Sequence, residues 1–258
     1  MAQAFYEQLD EGRFRSTELT RGPWDAGAQH AGPPAALLGT ALEAALGGPL
    51  VRITIEILRP VPIAELTVAA TVRRPGRSVT LAEATLADDR GPLLLARGWS
   101  IRREDVDLPV EVREPPDPVP APDAAVEEPF FDVPWDVGYH TAMEIRFVRG
   151  GFTQPGPACV WMRPAQPLVA GTRLTPLQRT LAAADSGNGV SAWFAAGTWR
   201  FINTDLSVHL SRYPVGEWVN LDAHTTLEPD GVGLAHSVLR DEQGVVGHAL
   251  QSLLVARA

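Results

Sequence analysis

The carboxylate of Asp185 stands where its charge is costly. It follows Leu181-Ala182-Ala183-Ala184 in LTPLQRTLAAADSGNG (174–189), a stretch that reads as a helix ended by Gly187 and Gly189. Thr175 caps the first turn, Pro176 fits the first helical position, and Gln178 completes a capping box. An acid at the far end of that helix meets an apolar surface and the negative end of the helix dipole, and both raise its pKa. A carboxyl so placed is a candidate general base toward water. Gln251 interrupts HALQSLLVA (248–256), an otherwise apolar final stretch, with an amide able to fix a water or a carbonyl. Asn203, with Thr204 beside it, adds a second amide at a strand start. Trp193 and Trp199 lie between the Asp185 and Asn203 segments, where they can line an apolar tunnel. Activated water, donors for a developing oxyanion and an apolar tunnel are the parts needed to hydrolyse an acyl group.

The elements that must position these residues are written twice. PPAALLGTALEAALG (33–47) is apolar nearly all round over Ala35–Leu46, so it predicts a helix buried nearly all round. After it come an extended run, a Pro-containing turn, a long alternating strand, a Gly turn and further strands. The same order follows TPLQRTLAAADSGNG in the second half. Pro62 matches Pro214, Glu65 matches Glu217 and Ala82 matches Leu234, with Gly91 matching Gly244 beyond the turn. DDRGP and RDEQGV carry the Asp and Gly of hairpin turns, so the sheet is read as mostly antiparallel. Residues 103–129, acidic and proline-rich, are read as a semi-extended linker between an N-terminal unit (1–102) and a C-terminal unit (130–258). In the first half Glu43 takes the place of Asp185 and Gly98 that of Gln251, which predicts one working site per chain.

Composition excludes several classes. The net charge of −9 argues against a nucleic-acid or anionic-membrane partner. Cys159, the only cysteine, rules out an internal disulfide, and the opening MAQAFYEQLDEGRFR lacks the pattern of a signal peptide, so a cytoplasmic protein is expected. No run reaches the ~18 apolar residues of a membrane span. GNGVSA (187–192) fits a dinucleotide fingerprint formally but follows a helix rather than a strand. No G-x-S-x-G elbow, Walker sequence or H-E-x-x-H is present, and the histidines have no metal-ligand spacing.

A buried helix inside an antiparallel sheet, duplicated in one chain, resembles the double-hotdog fold of the acyl-CoA thioesterases, with the thioesterase II (TesB-type) branch nearest. The resemblance rests on GAQHAGPPAALL (27–38), AAADSGNG (182–189), INTDLSVHLSRYPVGEW (202–218) and GHALQSLLVAR (247–257). It implies an α+β protein and the hydrolysis of an acyl-CoA to free acid and CoA, with no metal or organic cofactor. A homodimer formed through sheet edges is the implied assembly. In that family an Asp, a Thr and a Gln hold the attacking water. They fall on Asp185, Asn203 and Gln251, so this chain has Asn where the family has Thr, and Thr204 is one residue on. The resemblance also implies that Gly27, His30 and Gly32, at the first helix, offer backbone N–H groups to a thioester carbonyl or a phosphate. A hotdog scaffold that binds an acyl-CoA or other hydrophobic ligand without turnover is the alternative. Hydratase chemistry on the same fold is disfavoured, because it wants a histidine with an acidic partner and His30 has only Asp25 near it in sequence.

Overall fold

The computed structural model describes residues 3–109, 117–194 and 197–257. The first unit contains β1 (Tyr6–Asp10), β2 (Arg13–Ser16), helix α1 (Gly32–Leu46), β3 (Leu50–Ile57), β4 (Glu65–Arg74), β5 (Val79–Asp88) and β6 (Gly91–Ile101). The second contains β7 (Val126–Glu127), a single turn α2 (Tyr139–Ala142), β8 (Met143–Gly151), β9 (Gln154–Pro164), α3 (Pro176–Ala184), a further turn α4 (Gly187–Val190), β10 (Trp199–Asn203), β11 (Asp205–Leu210), β12 (Val219–Leu227), β13 (Val232–Asp241) and β14 (Gly244–Arg257). The strands form one antiparallel sheet in the order β1-β2-β4-β5-β6-β3-β11-β14-β13-β12-β9-β8-β7, with β10 paired to β14. This is the double hotdog. The units join where β3 pairs with β11, Glu56 opposite Asp205 through Arg52 opposite His209, so each covers the other's open edge.

Part of the proline-rich segment, residues 110–116, lies outside the described residues. Its later part runs along the second unit: Trp161 Nε1 donates to Pro120 O (2.8 Å), Arg240 Nε donates to Asp117 (3.0 Å), and β7 pairs with β8.

The internal repeat is in register, with one correction. Ala82 faces Gly98 across β5–β6, and Ala235 faces Gln251 across β13–β14. The counterpart of Ala82 is therefore Ala235, one residue beyond Leu234. Ala82 and Ala235 are buried, whereas Leu234 points outward, as a slip of one residue along a strand requires. Gly98 is where the first unit has closed the space that Gln251 occupies in the second: a Cβ there would lie 2.5 Å from Leu50 Cδ2 and 3.1 Å from Leu42 Cδ1. Gly98→Ala is expected to cost about 1–3 kcal/mol through overpacking, read as a fall in Tm by calorimetry.

The expected all-round burial of α1 holds for its N-terminal half, Gly32 to Gly39. Its C-terminal half reaches solvent on one side, where Thr40 and Ala44 are exposed and Glu43 is half-buried. α3 starts as its sequence predicts, with Thr175 accepting from Gln178 N (3.2 Å) and Gln178 Oε1 accepting from Thr175 N (2.9 Å). It does not end on its glycines. Asp185 is the C-cap, and Gly187 and Gly189 belong to α4 with no positive φ. At Gly187 the requirement is close approach: a Cβ would sit 2.8 Å from Ser237 Oγ and 3.1 Å from Gln251 Oε1.

The two helices pack directly and antiparallel. Gly32 at the start of α1 lies against the carbonyl of Ala182 near the end of α3, Gly39 admits Leu181, and Gln178 Nε2 donates to Thr40 Oγ1 (3.0 Å). The C-terminus of α3 therefore meets the N-terminus of α1.

Candidate active site

Asp185 sits at that junction and is buried. Its carboxylate faces the positive end of α1, with backbone N–H groups of Ala31 and Gly32 directed at it. Burial is the largest influence and raises its pKa to about 7, while Asn203, the two N–H groups and Gln251 pull it back down. The expected contribution from the dipole of its own helix is thus answered by the opposite dipole of the other.

Asn203, at the end of β10, donates through Nδ2 to Asp185 Oδ1 (2.8 Å). Its amide oxygen has no hydrogen-bond partner among the described residues. Thr204 does not turn toward the carboxylate: its hydroxyl lies near Asp205 Oδ1 (3.3 Å) and Ser252 O (3.4 Å). Asn203, and not Thr204, is the residue of this pair that reaches Asp185. Gln251 projects inward from β14 and is fully used. Nε2 donates to Asp185 O (3.0 Å) and Oδ1 (3.2 Å), and Oε1 accepts from Asn188 N (3.1 Å). It holds Asp185 and the α4 turn rather than a free water.

His30, in the loop before α1, corrects the pairing read from sequence. Its acidic neighbour is Asp185, with Nδ1 3.2 Å from Oδ2, and not Asp25. Asp25 instead accepts from Gly27 N (2.7 Å), while Gly27 O accepts from Ile63 N (2.9 Å). Gly27 therefore has no backbone group to offer. Gly32 N–H is directed at His30 Nδ1 (3.1 Å) and Asp185, so it holds the site together rather than facing outward. Burial lowers the His30 pKa to about 3, so the imidazole is neutral beside a carboxyl that titrates near 7.

Tyr139, Ser186 and Asn188 complete the setting. The Tyr139 ring stacks on His30 with centroids 3.7 Å apart and planes 2° from parallel. Its hydroxyl donates to Ala182 O (2.7 Å) and lies 2.9 Å from Ser186 Oγ. Ser186 and Asn188 fall within AAADSGNG, and their polarity in an apolar stretch was their signal. Nothing in the sequence near Tyr139 ties it to this site.

Asp185, Asn203 and His30 open on a cavity of about 580 Å³, walled by Gln29, Ile57, Val61, Trp199 and Phe201. On the other side of His30 lies a small chamber of about 40 Å³ lined by Phe130, Phe131, Tyr139, Ile145, Phe152 and Met162. Trp24, His30 and Asn188 border both. Trp199 lines the larger cavity and stacks on Phe194 at 4.6 Å. Trp193 is not in either wall; its Nε1 donates to Thr225 O (2.6 Å). Among the described residues, no three His, Cys, Asp or Glu side chains converge as a metal would need, and no helix is long and apolar enough to cross a membrane.

Residues 20–101 match the family model of the acyl-CoA thioesterase N-terminal domain, and residues 112–255 that of the acyl-CoA thioesterase C-terminal domain. No match was found among curated proteins. The fold is similar to that of a protein assigned as a thioesterase II from Thermobifida fusca YX (TM-score 0.77, 17% identity, 98% of this chain and 95% of that one). It is also similar to a protein assigned as a thioesterase from Novosphingobium aromaticivorans DSM 12444 (TM-score 0.74, 20% identity, 98% and 99%). A third similar structure is the acyl-CoA thioesterase II TesB2 of Mycobacterium marinum (TM-score 0.64, 14% identity, 98% and 96%). Two domain matches that divide the chain where its sheet is doubled, and whole-length likeness to TesB-type structures, give one conclusion: this chain belongs to the acyl-CoA thioesterase family.

Proposed function

We propose that the chain hydrolyses an acyl-CoA, with water as the nucleophile and Asp185 as the base. One observation carries the reading: a buried carboxylate with a pKa near 7, fixed by several donors, opens on a ligand-sized cavity. Asp185 takes a proton from a water held also by the free amide oxygen of Asn203, and the oxygen attacks the thioester carbon. The tetrahedral intermediate collapses with loss of the C–S bond, and the thiolate leaves with the proton from Asp185. Gln251 and the N–H groups of Ala31 and Gly32 keep the carboxylate in place. The step balances as thioester plus water giving acid plus thiol.

The small aromatic chamber supports an acyl end of only a few carbons, since 40 Å³ of this kind admits about three water-sized groups. Free-thiol release from acyl-CoAs of graded length tests both statements, with short chains expected to turn over fastest. Because only ionised Asp185 is a base, kcat/KM is expected to rise about tenfold per pH unit below pH ~7 and to level above it. A flat profile between pH 5 and 8 overturns this assignment.

The His30–Asp185 contact removes the ground on which hydration chemistry was disfavoured and supports it as a second reading, addition of water to a 2-enoyl thioester by the same base. Loss of enoyl absorbance without thiol release decides for it. Binding of an acyl-CoA with neither reaction decides for a non-catalytic hotdog. The proposal includes a homodimer formed through sheet edges, to be checked by sedimentation.

A further inference from the structure

His30 is held more tightly than a wall residue requires. Its backbone N–H donates to Thr20 O (2.8 Å), its ring lies flat on Tyr139, and Tyr139 is itself tied to Ala182 and Ser186. Gly32 N–H can only donate, so Nδ1, 3.1 Å away, is the acceptor. The neutral ring then carries its single proton on Nε2. That atom has no hydrogen-bond partner among the described residues and is not among the sealed unpartnered atoms, while His30 forms part of both cavity walls. An oriented donor is left unpaired beside the proposed base, where the two cavities meet.

We propose that His30 is a catalytic residue: a neutral imidazole whose Nε2–H binds the thioester carbonyl oxygen and the oxyanion that develops from it. The inference rests on the hydrolysis proposed above. It assigns the acyl chain to the aromatic chamber, the thiol side to the larger cavity and the carbonyl to the boundary between them. The Gly32 N–H on Nδ1 polarises the ring, so the Nε2–H at its far side is a stronger donor as the oxyanion forms, because linked hydrogen bonds polarise one another. Asp185 Oδ2, 3.2 Å from Nδ1, loses its charge beside the ring when it takes the proton of the attacking water. No proton leaves Nε2. On collapse Asp185 gives its proton to the departing thiolate and the ring is unchanged.

Three substitutions separate this role from a structural one. His30→Ala removes the donor, His30→Asn places an amide near Nδ1 but none near Nε2, and His30→Gln returns an N–H toward Nε2. Folding of each is checked by Tm. We expect kcat to fall on the order of 10²-fold in His30→Ala, with KM little changed, an equal fall in His30→Asn, and at least ~tenfold recovery in His30→Gln. Wild-type turnover in His30→Ala or His30→Asn overturns the proposal. Nitrogen-15 NMR of histidine-labelled protein gives a readout independent of turnover. A neutral Nε2–H tautomer is expected from about pH 8 to about pH 5, whereas an imidazolium or an Nδ1–H tautomer at pH 7 overturns it. A ketone analogue of a short acyl-CoA, with CH2 in place of sulfur, is expected to shift the His30 Nε2 resonance. An unshifted resonance with the analogue bound, or no binding at all, counts against the carbonyl contact. A wild type that releases no thiol but shows the shift sinks the hydrolysis and leaves the contact standing.

Discussion

Asp185→Asn is expected to lose about 10³-fold or more in kcat and to melt several degrees higher than wild type at pH 8. Both follow from the same burial. The substitution keeps the shape, and an amide oxygen still accepts from Asn203 and Gln251. What disappears is the charge, and with it the base. The stability gain depends on pH in a fixed direction. In the unfolded chain Asp185 ionises near its ordinary value of ~3.9, and in the folded chain near 7. Between these values the folded state holds a proton that the unfolded state has released, so wild-type stability falls as pH rises through the window. The accumulated cost above pH 7 is about 4 kcal/mol. Asp185→Asn escapes it, so its advantage should be near zero at pH 4, grow to pH 7 and stay constant above. Melting curves of the two proteins at pH 4, 6 and 8 measure this. Equal Tm differences at all three would mean that the carboxyl is not buried ionised in the working protein.

Gln251→Ala is the second large effect. The amide is buried and makes three contacts, two to Asp185 and one from Asn188 N–H. Truncation leaves the Asn188 N–H and Asp185 carbonyl without partners and opens a cavity beside Gly187. Each orphaned group costs about 1–3 kcal/mol, so a loss of at least ~3 kcal/mol is expected. The carboxylate also loses a donor that holds its pKa down, so the acid limb of the rate profile should move to higher pH. At pH 7 the displaced base and the higher pKa together are expected to lower kcat/KM on the order of 10²-fold. Activity that recovers fully at pH 9 would assign the effect to the pKa alone; partial recovery would assign the rest to position.

The sequence disclosed those features that are local. The capping box of Thr175 and Gln178, the apolar run before Asp185 and the polar interruption at Gln251 are each visible within a few residues, because each reflects a local bond or a face of one element. The offset between repeats was legible to within one residue, and only the pleat decided that Ala235 rather than Leu234 answers Ala82. The partner of His30 was not legible. Asp25 was its nearest acid along the chain, and Asp185 reaches it only because α1 and α3 pack antiparallel across the two units. The glycines after Asp185 misled for a related reason. They read as helix stops, yet Gly187 is small to let Ser237 and Gln251 approach. Tyr139 carried no signal, since ring stacking on a distant histidine leaves no periodicity.

The opposite end of the helix pair has had a different history. There Glu43 accepts from the hydroxyl of Tyr213, and the leucines around Gly98 fill the room that an amide would need. The end proposed as active takes His30, Ala31 and Gly32 from one repeat and Asp185, Asn203 and Gln251 from the other. In a pair of identical subunits every residue would have to serve both ends at once, and a change good for one would be imposed on the other. The covalent tether releases that bond. Each copy is free to specialise, one as the supplier of the receiving helix start and the other as the supplier of the base, and the idle end is free to be spent on packing. The corollary is mutual dependence: neither repeat, expressed by itself, carries a whole set of parts, and activity should return only when the two are mixed and fold together.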